Sequence, residues 1–463
     1  MAVKRTLIRA FVLALTLGLL ALPSTAAAVP PGADEATATF EYTQNMHPLG
    51  FSPREVPLAN AEPGAGVLNS DLAFWGDLAI QGTYAGFRII DVSAPANPRE
   101  IINYTGCSNP ANTVGNQGDV LVWGNLLIRS WNSAVSATNA PTASCGGELV
   151  GQGFEGLNIF DISDPANPVL IKNLRMAADT TPVGCGSHTA TLVPDVANGN
   201  LYVYNNASSG TCPGIDIVRI PLANPAGAQF LHRVATGRSC HDTGVILGDA
   251  MLAGCAGGNG FTVLSMSPDD GGSIETPVVL YSKTVEGVSI GHSAAFTWDG
   301  EVLVFGHEPG GGTQARCQAT STVVDRTLFF FAARTGDPVG TFVHPRPQTA
   351  LENCTWHNYN VVPTDKRYVL VSAGYQSGTS VVDFTDPANA SEVAFADPAP
   401  LVNPDNPTAI ETGGDWSTYW YNGLIYESDI TRGVMIWNLS DPAVAGARKL
   451  DHLNPQTQER TLD

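Results

Sequence analysis

One unit recurs seven times along this chain, and that repetition constrains the fold more than any other property. Turn dipeptides stand between apolar runs at Gly76-Asp77, Gly124-Asn125, Gly199-Asn200, Gly248-Asp249, Asp299-Gly300, Asp365-Lys366 and Asn422-Gly423. Such turns between β-prone runs are the strongest short-range hairpin signal. A third strand follows each hairpin: GFRIIDV from 86, GLNIFDI from 156, GIDIVRI from 214, GFTVLSM from 260, TLFFFAA from 327, GTSVVDF from 378 and GVMIWNL from 433. A Pro-rich turn usually comes next, then a fourth, more polar strand such as REIINY from 99. A unit of this kind cannot bury both faces alone, so its copies must pack on one another. The predicted fold is all-β, a seven-bladed β-propeller of four-stranded antiparallel blades. Its blades lie near 67–105, 114–176, 186–236, 240–284, 290–345, 355–396 and 414–452, in one domain over 67–463. Amphipathic helical runs between strands are missing, which excludes a TIM barrel, and the period is too long for a β-helix.

The corners carry a motif. RIIDVSAPANP from 88 and NIFDISDPANP from 158 have an apolar strand ending in Asp, then Ser, Pro and Ala-Asn-Pro; SVVDFTDPANA from 380 and MIWNLSDP from 435 follow suit. These stretches resemble the LVIVD-repeat proteins. The resemblance implies a secreted or surface β-propeller and no common catalytic residues. Units three to five depart from it, with IVRIPLANP from 217 keeping only the turn. The Asp residues ending third strands (Asp91, Asp161, Asp383) are best explained as turn caps, since Asp bonds to backbone N–H groups two residues on.

Lys4, Arg5 and Arg9, the apolar stretch Phe11 to Leu22 and Ala26-Ala27-Ala28 have the order of a signal peptide over 1–28. A secreted protein is therefore expected, with an N-terminal segment, 29–66, whose part from Phe40 to Leu58 could join the last blade and latch the ring. ARKLDHL from 447 is the other source for that strand. No later segment is apolar for the about 20 residues a transmembrane helix needs. Eight cysteines remain, Cys107, Cys145, Cys185, Cys212, Cys240, Cys255, Cys317 and Cys354, an even number that suits disulfides in an exported protein. Sequential pairing is the simplest scheme among the alternatives. The formal net charge of −20 and the absence of a basic patch exclude nucleic acid as a partner.

Histidines occupy one place in the repeat. His188, His241, His292 and His357 all stand at the start of the innermost strand of blades three to six, the strand that lines a propeller's channel. Asp71, Asp119 and Asp415 stand near the same place in blades one, two and seven. His307 and Glu308, in the loop after the second strand of blade five, should face the same rim, as should Asp242. Converging imidazoles hold zinc, copper or iron, so His188, His241, His292 and His357 are the candidate ligands of a transition metal. Asp242 and Glu308 would complete the shell or act as a general base. The competing expectation is that each His caps its own blade by bonding to Thr189, Asp242 or Ser293. Tyr84, Trp131, Tyr375 and Trp416 lie near the same face, available to a sugar or peptide or packed in the core.

The leading functional expectation is a secreted LVIVD-type propeller, monomeric, that binds an extracellular protein or small ligand through its His- and carboxylate-rich rim. The alternatives are a metal-dependent oxidoreductase or hydrolase at that rim, and a cell-surface scaffold.

Overall fold

Asn422-Gly423 joins strands Asp415–Tyr421 and Leu424–Asp429 through two residues at φ 53° and 98°, the left-handed pair that a tight hairpin turn needs. Two-residue turns also follow Trp75 and Trp123, with only their glycines, Gly76 and Gly124, at positive φ, 55° and 56°. The computed structural model describes residues 32–54, 68–109, 116–176, 185–207, 212–402 and 406–462. The predicted leader, 1–28, and residues 29–31 and 55–66 of the N-terminal segment lie outside them.

The described residues form seven antiparallel sheets of four or five strands, consistent with a β-propeller, and a three-stranded one. The first strands of the seven are Asn69–Trp75, Val120–Trp123, Thr189–Asp195, Asp242–Ile246, Gly291–Phe296, Tyr359–Val361 and Asp415–Tyr421. Second and third strands follow in chain order within each sheet, as the hairpin turns predict, and so does the fourth strand in the first six. The Asp caps also form: Asp91 accepts from the Ser93 N–H at 3.0 Å, Asp161 from Ser163 at 2.8 Å and Asp383 from Thr385 at 2.9 Å.

Glycine opens most third strands because the fourth strand crosses there. A Cβ on Gly86 would lie 1.9 Å from the Tyr104 carbonyl oxygen, and one on Gly156 2.0 Å from that of Leu174. In the last sheet the same approach, 2.2 Å from Gly433, is made by Ser52. Ser52 belongs to Met46–Pro53, which pairs antiparallel with Gly433–Leu439. Of the two sources foreseen for this outer strand, the structure uses the N-terminal one.

Alternate residues of a strand face opposite neighbours. Val120 and Val122 pack with Ala73, Ile80 and Phe87 of the first sheet, whereas Leu121 packs with Leu192 and Val203 of the third. Apolar clusters of this kind join each sheet to the next, and Leu72 and Phe74 of the first meet Tyr419 and Tyr426 of the seventh. Each fully buried Leu, Ile or Phe contributes roughly 1.5–3 kcal/mol.

The C-terminal segment crosses the far ends of the first strands. His452–Leu453 pairs with Asn69–Trp75, and Thr457–Gln458 pairs in parallel with Asp242–Ile246. Between them, the Asn454 side chain bonds both backbone groups of Val122 at 2.8 Å.

Four disulfides join Cys107 to Cys145, Cys185 to Cys212, Cys240 to Cys255 and Cys317 to Cys354, the sequential scheme. The first ties the three-stranded sheet of the second unit's insertion, and the last ties the insertion after Glu308 to the segment entering Tyr359–Val361.

Candidate metal centre

His188 and His241 immediately precede their first strands, His292 is the second residue of its strand, and His357 stands two residues before its own. Adjacent sheets thereby bring the four imidazoles together in an arc. Ring centroids are 4.6 Å apart for His188 and His241, 4.0 Å for His241 and His292, and 4.2 Å for His292 and His357. Hydroxyls from one sheet hold the His backbone of the next: Ser130 donates to the His188 carbonyl at 2.8 Å, Thr189 to that of His241, and Ser293 to that of His357 at 2.5 Å.

These contacts fix two tautomers. The Nδ1 of His357 lies 2.5 Å from the Trp416 carbonyl, which only accepts, so Nδ1 carries the proton and Nε2 a free lone pair. Ser293 Oγ gives its own proton to the His357 carbonyl and therefore accepts from His292 Nδ1 at 2.6 Å. The Nε2 atoms of His188 and His241 are 2.9 Å apart, while the Nδ1 of each is buried without a partner. Burial pushes His188 down to about 4 and His357 down to about 3; burial and the other histidines carry His241 and His292 well below the usual value. All four are neutral at pH 7.

Glu308 follows the strand Val302–His307. One nitrogen each from His241 and His292 and one Glu308 oxygen lie within 4.8 Å of one another. A small contraction brings such a set to the 2.0–2.2 Å ligand distances of zinc. Burial raises the Glu308 carboxyl to about 7, and the Tyr375 hydroxyl donates to its Oε1 at 2.7 Å.

The remaining predicted rim residues are placed elsewhere. The Nε2 of His307 donates to the Val324 carbonyl at 2.6 Å, and its ring faces Phe329 rather than the arc. Asp242 accepts from the Thr243 N–H at 2.7 Å; burial, with Asp71 adding to it, raises it to about 7. Asp71 bonds Tyr419 at 2.6 Å and Gln456 at 3.0 Å. Asp415 groups with Glu427 and Asp429, again within 4.8 Å, and accepts from Thr379 at 3.1 Å. Tyr84, Trp131, Tyr375 and Trp416 are all buried, which agrees with packing in the core and corrects the expectation of aromatics exposed to a sugar or peptide.

The cap expectation holds only in part. His292 does bond its neighbour Ser293, but His357 bonds into the next sheet and His188 bonds His241. Residues missed from sequence are Glu427 and Asp429, two acids set two apart in the buried strand Leu424–Asp429; Tyr375 was foreseen near this face, but not as the partner of Glu308.

The LVIVD repeat family matches residues 74–106 and 150–175. This is an LVIVD repeat-containing protein. The first matched LVIVD stretch covers the hairpin, third strand and Pro-rich corner of the first sheet, and the second covers Gly156–Asp161 and Val169–Arg175 of the second. No curated protein matches the chain. Among solved structures, the chain is similar to the computationally designed Ika8 protein, with TM-score 0.42 and 11% identity over 80% of this chain and 96% of that one. It is also similar to the hydrazine synthase of Kuenenia stuttgartiensis, with TM-score 0.48 and 12% identity over 79% of this chain and 93% of that one.

Proposed function

We propose that this protein is a secreted, seven-bladed propeller that works as a metal-binding module. His241, His292 and Glu308 hold a transition-metal ion, zinc, copper or iron, and His188 and His357 flank it. Closure of the ring is supported by the first strands, which neighbour one another in chain order while Asp415–Tyr421 also neighbours Asn69–Trp75. Export is supported by four disulfides, which persist in oxidising compartments.

The observation that carries the metal reading is the meeting of four neutral imidazoles ring to ring, with Nδ1 of His292 and His357 engaged outside the arc. Metal-ligating histidines characteristically commit their second nitrogen to such a partner. A ring of structural caps needs no such convergence.

Elemental analysis after reconstituting metal-stripped protein tests this. About one equivalent of a transition metal is expected, and less than about a tenth refutes the reading. His241→Ala should then lose most of the metal while thermal unfolding stays cooperative; if it unfolds the chain instead, the histidines are structural.

A further inference from the structure

We propose that Tyr375 sets the metal preference of this site by holding Glu308 to a single free oxygen; the proposal rests on the metal-binding reading above. Tyr375 is a non-glycine residue held at φ 51°, a left-handed conformation that a bulky side chain adopts only when its surroundings enforce it. The surroundings do so here. Its N–H donates to the Asp415 carbonyl at 3.1 Å, and its own carbonyl accepts from Asp415 at 2.9 Å and from Gly378 at 3.0 Å. Its ring packs on His357 at a centroid distance of 4.3 Å, so the hydroxyl can reach only the space beside the arc.

That space is filled by Glu308, whose Oε1 accepts the hydroxyl proton at 2.7 Å. The insertion seals the pair from the other side. A Cβ on Gly312 would lie 2.7 Å from Glu308 Oε1 and 2.8 Å from the Tyr375 hydroxyl, and Asn353 holds the Gly312 carbonyl at 2.5 Å.

The chemical consequence concerns denticity. With Oε1 engaged, Glu308 offers the ion one oxygen, and the donor set stays dominated by imidazole nitrogen, which suits zinc and copper. A carboxylate with both oxygens free grips in bidentate fashion, as in sites for hard, oxygen-seeking ions such as manganese.

The test titrates the metal-stripped full chain with zinc alone and with manganese alone, in wild type and Tyr375→Phe, which removes one oxygen and keeps the ring on His357. The ratio of zinc to manganese affinity should fall about tenfold or more, the usual scale of a lost outer partner. A ratio within about twofold of wild type overturns the role of Tyr375 while leaving the metal site standing. Uptake of neither ion by the wild type overturns both. Gly312→Ala, whose methyl would press on the same hydrogen bond from the insertion, is expected to shift the ratio in the same direction and serves if Tyr375→Phe fails to fold.

Discussion

The same place in the repeat carries histidine in four successive sheets and aspartate in the other three, and the two halves respond to burial in opposite ways. His188, His241, His292 and His357 lose their protons, with pKa values driven down. Asp71, Asp119 and Asp415 shift the other way, with pKa values driven up chiefly by burial and, in Asp119, further by Asp71 and Asp242. Burial penalises charge of either sign, so it moves the two kinds of group in opposite directions. They differ in what they present. The imidazole arc offers lone pairs without first giving up a proton, whereas burial makes the carboxyl side harder to deprotonate. Under the proposed reading, this asymmetry favours the histidine side for the metal.

Removing an arc ligand should have the largest effect. His292 touches both His241 and His357 and shares the 4.8 Å group with Glu308. His292→Ala should lower metal affinity by at least about a hundredfold in a competition titration against a chelator. Asp119→Asn, on the opposite half, should leave affinity unchanged. Equal losses in the two variants would erase the distinction between the halves.

A smaller change is expected one bond further out. Ser293→Ala deletes the acceptor of His292 Nδ1 and the donor to the His357 carbonyl, freeing the His292 ring to turn and loosening the backbone that carries His357. Affinity should fall about tenfold, at the low end for outer partners. No change would mean that packing alone orients the rings.

Much of this was legible in the sequence, and the division has a physical basis. Turn dipeptides, third-strand glycines and Asp caps act within a few residues, so the hairpins and corners could be read directly. The four histidines could be aligned because the repeat supplies a register. What escaped depends on contacts between distant segments or on the direction of one side chain. Sequence left two sources open for the outer strand of the last sheet, because the choice of Met46–Pro53 rests on contacts such as Met46 opposite Leu439, far apart in the chain. His307 and Glu308 are adjacent, yet strand alternation sends one to Val324 and the other to Tyr375. The turn that buries Tyr375 needs a left-handed residue, and nothing in a tyrosine announces that.

The smallest effect concerns stability rather than binding, and it separates the halves by pH. Folded His357 titrates at about 3 against an ordinary 6.5, so the stability present above pH 6.5 is lost as pH falls toward 3. Glu427, beside Asp415, behaves inversely. It holds its proton in the folded chain up to about 7 while an unfolded glutamate releases it near 4.5, so its contribution falls as pH rises through that window. Between about pH 4.5 and 6.5 the two slopes oppose each other, and the wild type should show a shallow profile. Glu427→Gln keeps an oxygen to accept from the Trp437 indole and removes only the titration. Urea midpoints of the metal-free protein should therefore rise with pH more steeply in the variant than in the wild type across that window. Parallel profiles would show that Glu427 ionises normally inside the fold, and the carboxyl side would then be as ready as the histidines to receive a cation.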